Sequence, residues 1–182
     1  PPFPSDYRAS GVLLPVTSLP APYGIGDVGP MALAWIDRLH EAGQSWWQAL
    51  PVGPIGVGDG DSPYQPLSSF ASNGLLVSPD WLIEDGLLRV SDCEGQSFSS
   101  DRVDYEAVFT FKLRLLDKAW TNFNDGARPD LRPAYAQFCR EHACWLEDYA
   151  LFRALKLRYG GVHYLEWPAE LIRRVPGALA QA

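Results

Sequence analysis

Tyr64 stands between Pro63 and Pro66 in the run Gly58-Asp-Gly-Asp-Ser-Pro-Tyr-Gln-Pro-Leu-Ser-Ser-Phe-Ala-Ser-Asn73. Proline fixes its own φ and restricts the residue before it, so the aromatic ring is held here at low entropic cost. A flat ring with a hydroxyl at its rim suits a sugar, which offers an apolar face for stacking and hydroxyls for hydrogen bonding. The same composition also allows a tyrosine buried as a plug beneath its loop, and both readings stand at this level. The stretch follows an apolar segment that reads as a parallel strand, and α/β proteins place ligand groups beyond the C-terminal ends of such strands.

Other groupings carry less. Gly24-Ile-Gly26-Asp-Val-Gly29 matches the glycine spacing of a dinucleotide loop. Several residues, Pro20 and Pro22 among them, separate it from the preceding strand, and no acid stands near the end of the next strand, at Leu50-Pro-Val-Gly-Pro54. These glycines read first as a tight loop before a helix. Cys139, His142 and Cys144 share one helical segment, but Cys144 is out of phase with Cys139 and no second ligand pair exists; His40 and His163 add nothing by spacing. No serine lies in a G-x-S-x-G elbow. No cofactor and no metal are therefore expected.

The elements that must position Tyr64 are legible in residues 11–52. Gly11-Val-Leu-Leu-Pro-Val-Thr17 and Ser45-Trp-Trp-Gln-Ala-Leu-Pro-Val52 are apolar on successive residues, which predicts parallel strands covered on both faces. Pro15 and Pro51 limit how far the ladder can run. Between them Met31, Leu33, Ala34, Ile36, Asp37 and Leu39, where apolar positions recur at helical spacing, predict a helix, with Gly43 as its stop. Beyond the Tyr64 loop, Leu75–Pro79 reads as a short extended piece and Asp80–Gly86 as a short helix. Residues 91–103 are polar and read as a linker. Val108, Phe111, Leu115, Leu116, Ala119 and Phe123 then form one apolar stripe, and Leu146, Tyr149, Leu151, Phe152, Leu155 and Leu157 support a second.

Bulk properties bound the function. The 182 residues carry a net charge of −7, which excludes a partner held mainly by phosphate neutralisation; no nucleic acid is expected. No apolar run approaches the ~20 residues of a membrane span and no signal-peptide pattern opens the chain, so no membrane partner and a cytoplasmic setting are expected. Cys93, Cys139 and Cys144 are an odd set without framework spacing, which fits reduced thiols.

Five blocks, Ser10-Gly-Val-Leu-Leu-Pro-Val-Thr-Ser-Leu-Pro20, Tyr23-Gly-Ile-Gly-Asp27, Trp47-Gln-Ala-Leu-Pro-Val-Gly-Pro54, Asp61-Ser-Pro-Tyr-Gln65 and Ser69-Phe-Ala-Ser-Asn73, resemble the N-terminal part of the amylomaltases, the 4-α-glucanotransferases of glycoside hydrolase family 77. Trp145-Leu-Glu-Asp148, Phe152 and Trp167-Pro168 continue the likeness. Gly74 stands where that family usually has proline. The resemblance implies a (β/α)8 barrel enzyme that cleaves an α-1,4-glucan and passes the segment to another glucan's 4-hydroxyl with retention. Maltooligosaccharides and other α-1,4-glucans would be its substrates. Retention needs a carboxylate nucleophile and a carboxyl acid/base. In the family these lie on later strands, so no catalytic residue is assigned here, and Asp59 and Asp61, though near the loop, are not promoted. By the same resemblance Tyr64 stacks on the sugar at the cleavage site and Ser62 hydrogen-bonds near the adjoining subsite. Trp47 and Gln48 are expected to pack the strand end, and Asn73 to brace the loop.

A closed barrel of this kind takes about 250 residues and eight strands, whereas two strands are evident. The α/β fold is therefore expected to be the N-terminal portion of a (β/α)8 barrel, with residues 1–90 its first βα units and residues 91–182 an inserted, mainly helical subdomain of a larger enzyme. A noncatalytic α-glucan-binding module and a nucleotide-binding domain are the competing classes.

Overall fold

A computed structural model describes residues 4, 6–56 and 62–181. Two compact units are formed, Pro1–Arg132 and Pro133–Ala182.

The first unit opens with strand β1 (Gly11–Leu13), helix α1 (Pro30–Glu41) and strand β2 (Trp46–Gln48). The strands pair in parallel, with Gly11 opposite Trp46, Val12 opposite Trp47 and Leu13 opposite Gln48. The strand–helix–strand order and the parallel pairing are as the apolar runs predict. Each strand is only three residues long, because Pro15 and Pro51 lack the N–H that a longer ladder would need. The expected cover on both faces is absent among the described residues: Leu13 is 56% exposed and Trp46 is also open to solvent, since a two-stranded sheet has only α1 and the following turn to lie against it.

Helix α1 starts with Pro30 in its first turn and ends before Gly43, whose φ of +70° closes the last turn while the amide of Gln44 donates back to the Leu39 carbonyl. Its buried face is not the one that the apolar positions predict. Ala32 and Leu39 are buried and Trp35 half-buried, at a spacing that lines one side of the helix, while Met31, Leu33, Ala34 and Ile36 are exposed. Ala32 and Trp35 pack with Val16, Leu19, Leu76 and Trp47. An aromatic edge contact between Trp35 and Trp47, and a hydrogen bond of 2.8 Å from Trp47 Nε1 to the Leu14 carbonyl, fix the helix over the strand end.

Residues Gly74–Leu76 form a single tight helical turn rather than an extended piece, and helix α2 (Pro79–Glu84) follows. The backbone of this unit is set by helix α3 (Tyr105–Asn124), capped by Asp104, whose carboxylate accepts from the amide of Ala107 at 3.1 Å. Val108, Phe111, Leu115, Ala119 and Phe123 are buried along it, as the stripe predicts, and Lys112 is buried among them. Phe98, inside the polar stretch read as a linker, packs edge-on against Phe111 with ring centroids 5.3 Å apart.

The second unit contains most of α4 (Arg132–Glu141), then α5 (Ala143–Arg158), α6 (Ala169–Ile172) and α7 (Pro176–Gln181). Its core is small: Leu155, Trp167 and Leu171, with Leu151, Phe152 and Tyr159 packed against them. No helix among the described residues is long and apolar enough to cross a membrane.

Candidate functional site

Both strands of the first unit end at the same hollow. A cleft of about 220 Å³ is lined by Pro15–Ser18 after β1, by Leu50, Pro51, Val52 and Ile55 after β2, and by Pro63, Asn73, Leu76 and Tyr105. Small-molecule sites usually span about 300–1,000 Å³, so the cleft formed by the described residues is smaller than such a site. Thr17 and Ser18 also border a neighbouring groove of about 470 Å³ whose far wall is Ser99–Val103.

The Tyr64 loop rises beside this cleft. Its base is tied to the segment after β2 by two backbone hydrogen bonds, from Leu67 to the Pro54 carbonyl at 2.8 Å and from Asn73 to the Val52 carbonyl at 2.7 Å. Within the loop, Ser62 closes a turn: its hydroxyl oxygen accepts from the Tyr64 amide at 3.3 Å and its carbonyl accepts from Gln65 at 3.2 Å. Ser68 braces the far limb, its hydroxyl accepting from the amides of Phe70 and Ala71. The result presents Tyr64 outward, 69% exposed. Among the described residues no side chain covers this ring as a plug would require. Pro63 lines the cleft directly; Tyr64 and Ser62 stand beside it on the same turn. Asp59 and Asp61 lie outside the described residues.

Asn73 does what its side chain suggested. Its amide oxygen accepts from the Leu75 amide at 3.0 Å, which starts the turn Gly74–Leu76 and sets one wall of the cleft. Trp47 is committed to packing, and Gln48 is exposed away from the cleft lining.

The glycines of residues 24–29 serve close packing. A Cβ at Gly24 would fall 2.4 Å from the Phe98 ring, and one at Gly26 would fall 2.0 Å from the Val16 carbonyl oxygen. The loop folds inward against protein, and its acidic member Asp27 is 3% exposed. Asp27 Oδ2 accepts from Lys112 Nζ at 2.7 Å, and the same ammonium donates to the Val77 carbonyl at 2.9 Å. Burial pushes the Asp27 carboxyl above its ordinary range and the Lys112 ammonium below its own, with each partner opposing the shift of the other. Next to them Tyr23 donates to Asp80 Oδ1 at 2.7 Å, and burial together with that carboxylate raises the phenol well above its usual value. Burial likewise pushes the Cys93 thiol up. Sequence reasoning missed Lys112; the available signal was a cation inside the stripe, one position past Phe111.

Residues 14–182 match the family model described as 4-alpha-glucanotransferase, glycoside hydrolase family 77. This chain belongs to that family. It is 45% identical to the 4-alpha-glucanotransferase of Thermus thermophilus over 175 residues, covering 96% of this chain and 34% of the relative. It is 37% identical to the chloroplastic/amyloplastic 4-alpha-glucanotransferase of Solanum tuberosum, covering 98% of this chain and 31% of the relative. The solved amylomaltase of Streptococcus agalactiae in complex with acarbose superposes with a TM-score of 0.88 at 38% identity, over 96% of this chain and 35% of that one. The chain thus spans about a third of the length of the glucanotransferases it matches.

Proposed function

We infer that the cleft and the Tyr64 loop form part of the glucan site of a 4-α-glucanotransferase, which moves a segment of an α-1,4-glucan to the 4-hydroxyl of an acceptor glucan or glucose with retention. The observation that carries this reading is the exposed, proline-flanked Tyr64 ring at the C-terminal ends of two parallel strands. In this reading the ring packs on the apolar face of a glucose unit. The Ser62 hydroxyl, whose oxygen already accepts from the Tyr64 amide, keeps its own proton free to donate to a neighbouring sugar hydroxyl. Retention proceeds through a covalent glycosyl-enzyme formed by one carboxylate, while a second carboxyl protonates the leaving oxygen and then deprotonates the acceptor. Neither role is assigned to a residue of this chain.

The open faces of β1 and β2 support a sheet completed by further strands, as in a (β/α)8 barrel, with residues 1–90 as its first units and residues 91–182 as an inserted helical subdomain. A cytoplasmic setting belongs to the same proposal, supported by the three free cysteines.

The test is Tyr64→Ala in the full-length protein, with glucose release from maltotriose as readout. Loss of the stacking face should lower kcat/KM roughly tenfold or more with an unchanged melting temperature. Unaltered kinetics would overturn the stacking role.

A further inference from the structure

The cleft has two walls, the turn after β1, where Val16, Thr17 and Ser18 sit, and the segment from Asn73 to Leu76; Val16 and Leu76 share one apolar cluster, and packing of that kind carries no direction of its own. Each wall is held from behind. The first is gripped where the Gly26 amide donates to the Thr17 carbonyl at 3.1 Å, one residue before Asp27. The second is gripped where the Val28 amide donates to the Leu76 carbonyl at 2.9 Å, one residue after Asp27 and one residue before Val77. Lys112 reaches both grips at once through Asp27 Oδ2 and the Val77 carbonyl. It does so from α3, whose Val108 packs with Ile25, Ile55 and with Leu75 of the second wall.

Lys112 and Asp27 are 1% and 3% exposed, so water competes for neither and their geometry is fixed by one another. A buried pair of this kind is a poor device for stability, because desolvating two charges costs about as much as the pair regains; an apolar pair of similar volume often does as well. What an apolar pair cannot supply is a directional link to one carbonyl and one carboxylate oxygen. We propose that Lys112 and Asp27 are positioning residues, a buried clasp on α3 that sets the separation of the two cleft walls and hence the fit of the glucan. This rests on the cleft being the glucan site.

The test compares the full-length protein with its Asp27→Asn/Lys112→Met variant, which removes both charges at similar volume and so spares the fold the unpaired ion of either single change. The melting temperature should stay near that of the parent. Exchange of the Gly26, Val28, Asn73 and Leu76 amides should quicken by roughly tenfold or more, while the amides of Leu87 and Leu88, bonded to the Leu82 carbonyl, keep their protection. KM for maltooligosaccharide should rise with kcat little changed. Wall amides that keep their protection, or Leu87 and Leu88 amides that quicken equally, would overturn the clasp. Loosened walls with parental kinetics would uphold the clasp as a structural device and remove the cleft from glucan binding.

Discussion

Helices α3 and α5 carry apolar stripes of similar length, yet the first buries six residues and the second buries Leu155 alone. On α3 the buried apolar side chains meet Leu87 and Leu88, Tyr23, Phe98, or the Ile25–Ile55–Leu75 cluster, and Lys112 meets Asp27 and the Val77 carbonyl. On α5 the one buried side chain, Leu155, packs with Trp167 and Leu171, and Leu157, two residues beyond it, is 67% exposed. A stripe tells which side of a helix seeks cover; the amount of cover depends on what the rest of its unit brings to it. The first unit brings loops that also build the cleft. In that unit the core packing and the cleft geometry therefore depend on the same residues.

This contrast can be broken most forcefully at Lys112. Replacing it with alanine leaves the Asp27 carboxylate buried without a partner, and the first unit should lose about 4 kcal/mol in urea denaturation. A loss below 1 kcal/mol would mean that water reaches the pair. Leu155→Ala should cost the second unit about 3 kcal/mol, read as faster exchange of the α5 amides with the α3 amides unaffected. Acceleration in both helices would show that the two cores unfold together.

Tyr23 sharpens the comparison on the alkaline side. Its folded-state pKa is raised by burial and by Asp80, so both folded and unfolded chains keep the proton up to about pH 10. Above that the unfolded chain releases its proton first, and stability falls as pH rises. The advantage of the parent over Tyr23→Phe should therefore shrink between about pH 10 and 12 in denaturation curves; an advantage that grows would contradict the burial argument. Smallest of all, Leu157→Ala should change stability by less than about 0.5 kcal/mol, measured by the same α5 exchange.

The strand–helix–strand unit was legible because successive apolar residues, a helical period and two prolines each leave a local signature. The α3 stripe was legible for the same reason. The face of α1 was not: Met31, Leu33 and Ile36 outweigh Ala32 and Trp35 in hydrophobicity, but the turn after β1 and Leu76 lie over the latter side. Phe98 was hidden in a polar stretch because its partner Phe111 is distant in sequence. The Asp27–Lys112 pair spans 85 positions, and nothing local marks such a contact. At the candidate site, the prolines mark the Tyr64 turn and turn chemistry marks Asn73. The way Lys112 links the walls behind them required the fold.

Gly26 leaves one consequence for comparing this chain with remote sequences. Where its backbone crosses the turn after β1, a methyl group would lie 2.0 Å from a carbonyl oxygen and 2.7 Å from the Leu19 amide nitrogen, so the gap between the two segments admits hydrogen and nothing larger. A divergent chain with any other residue at this place must route its loop differently, which makes position 26 a sharper criterion for transferring an alignment through this region than overall similarity.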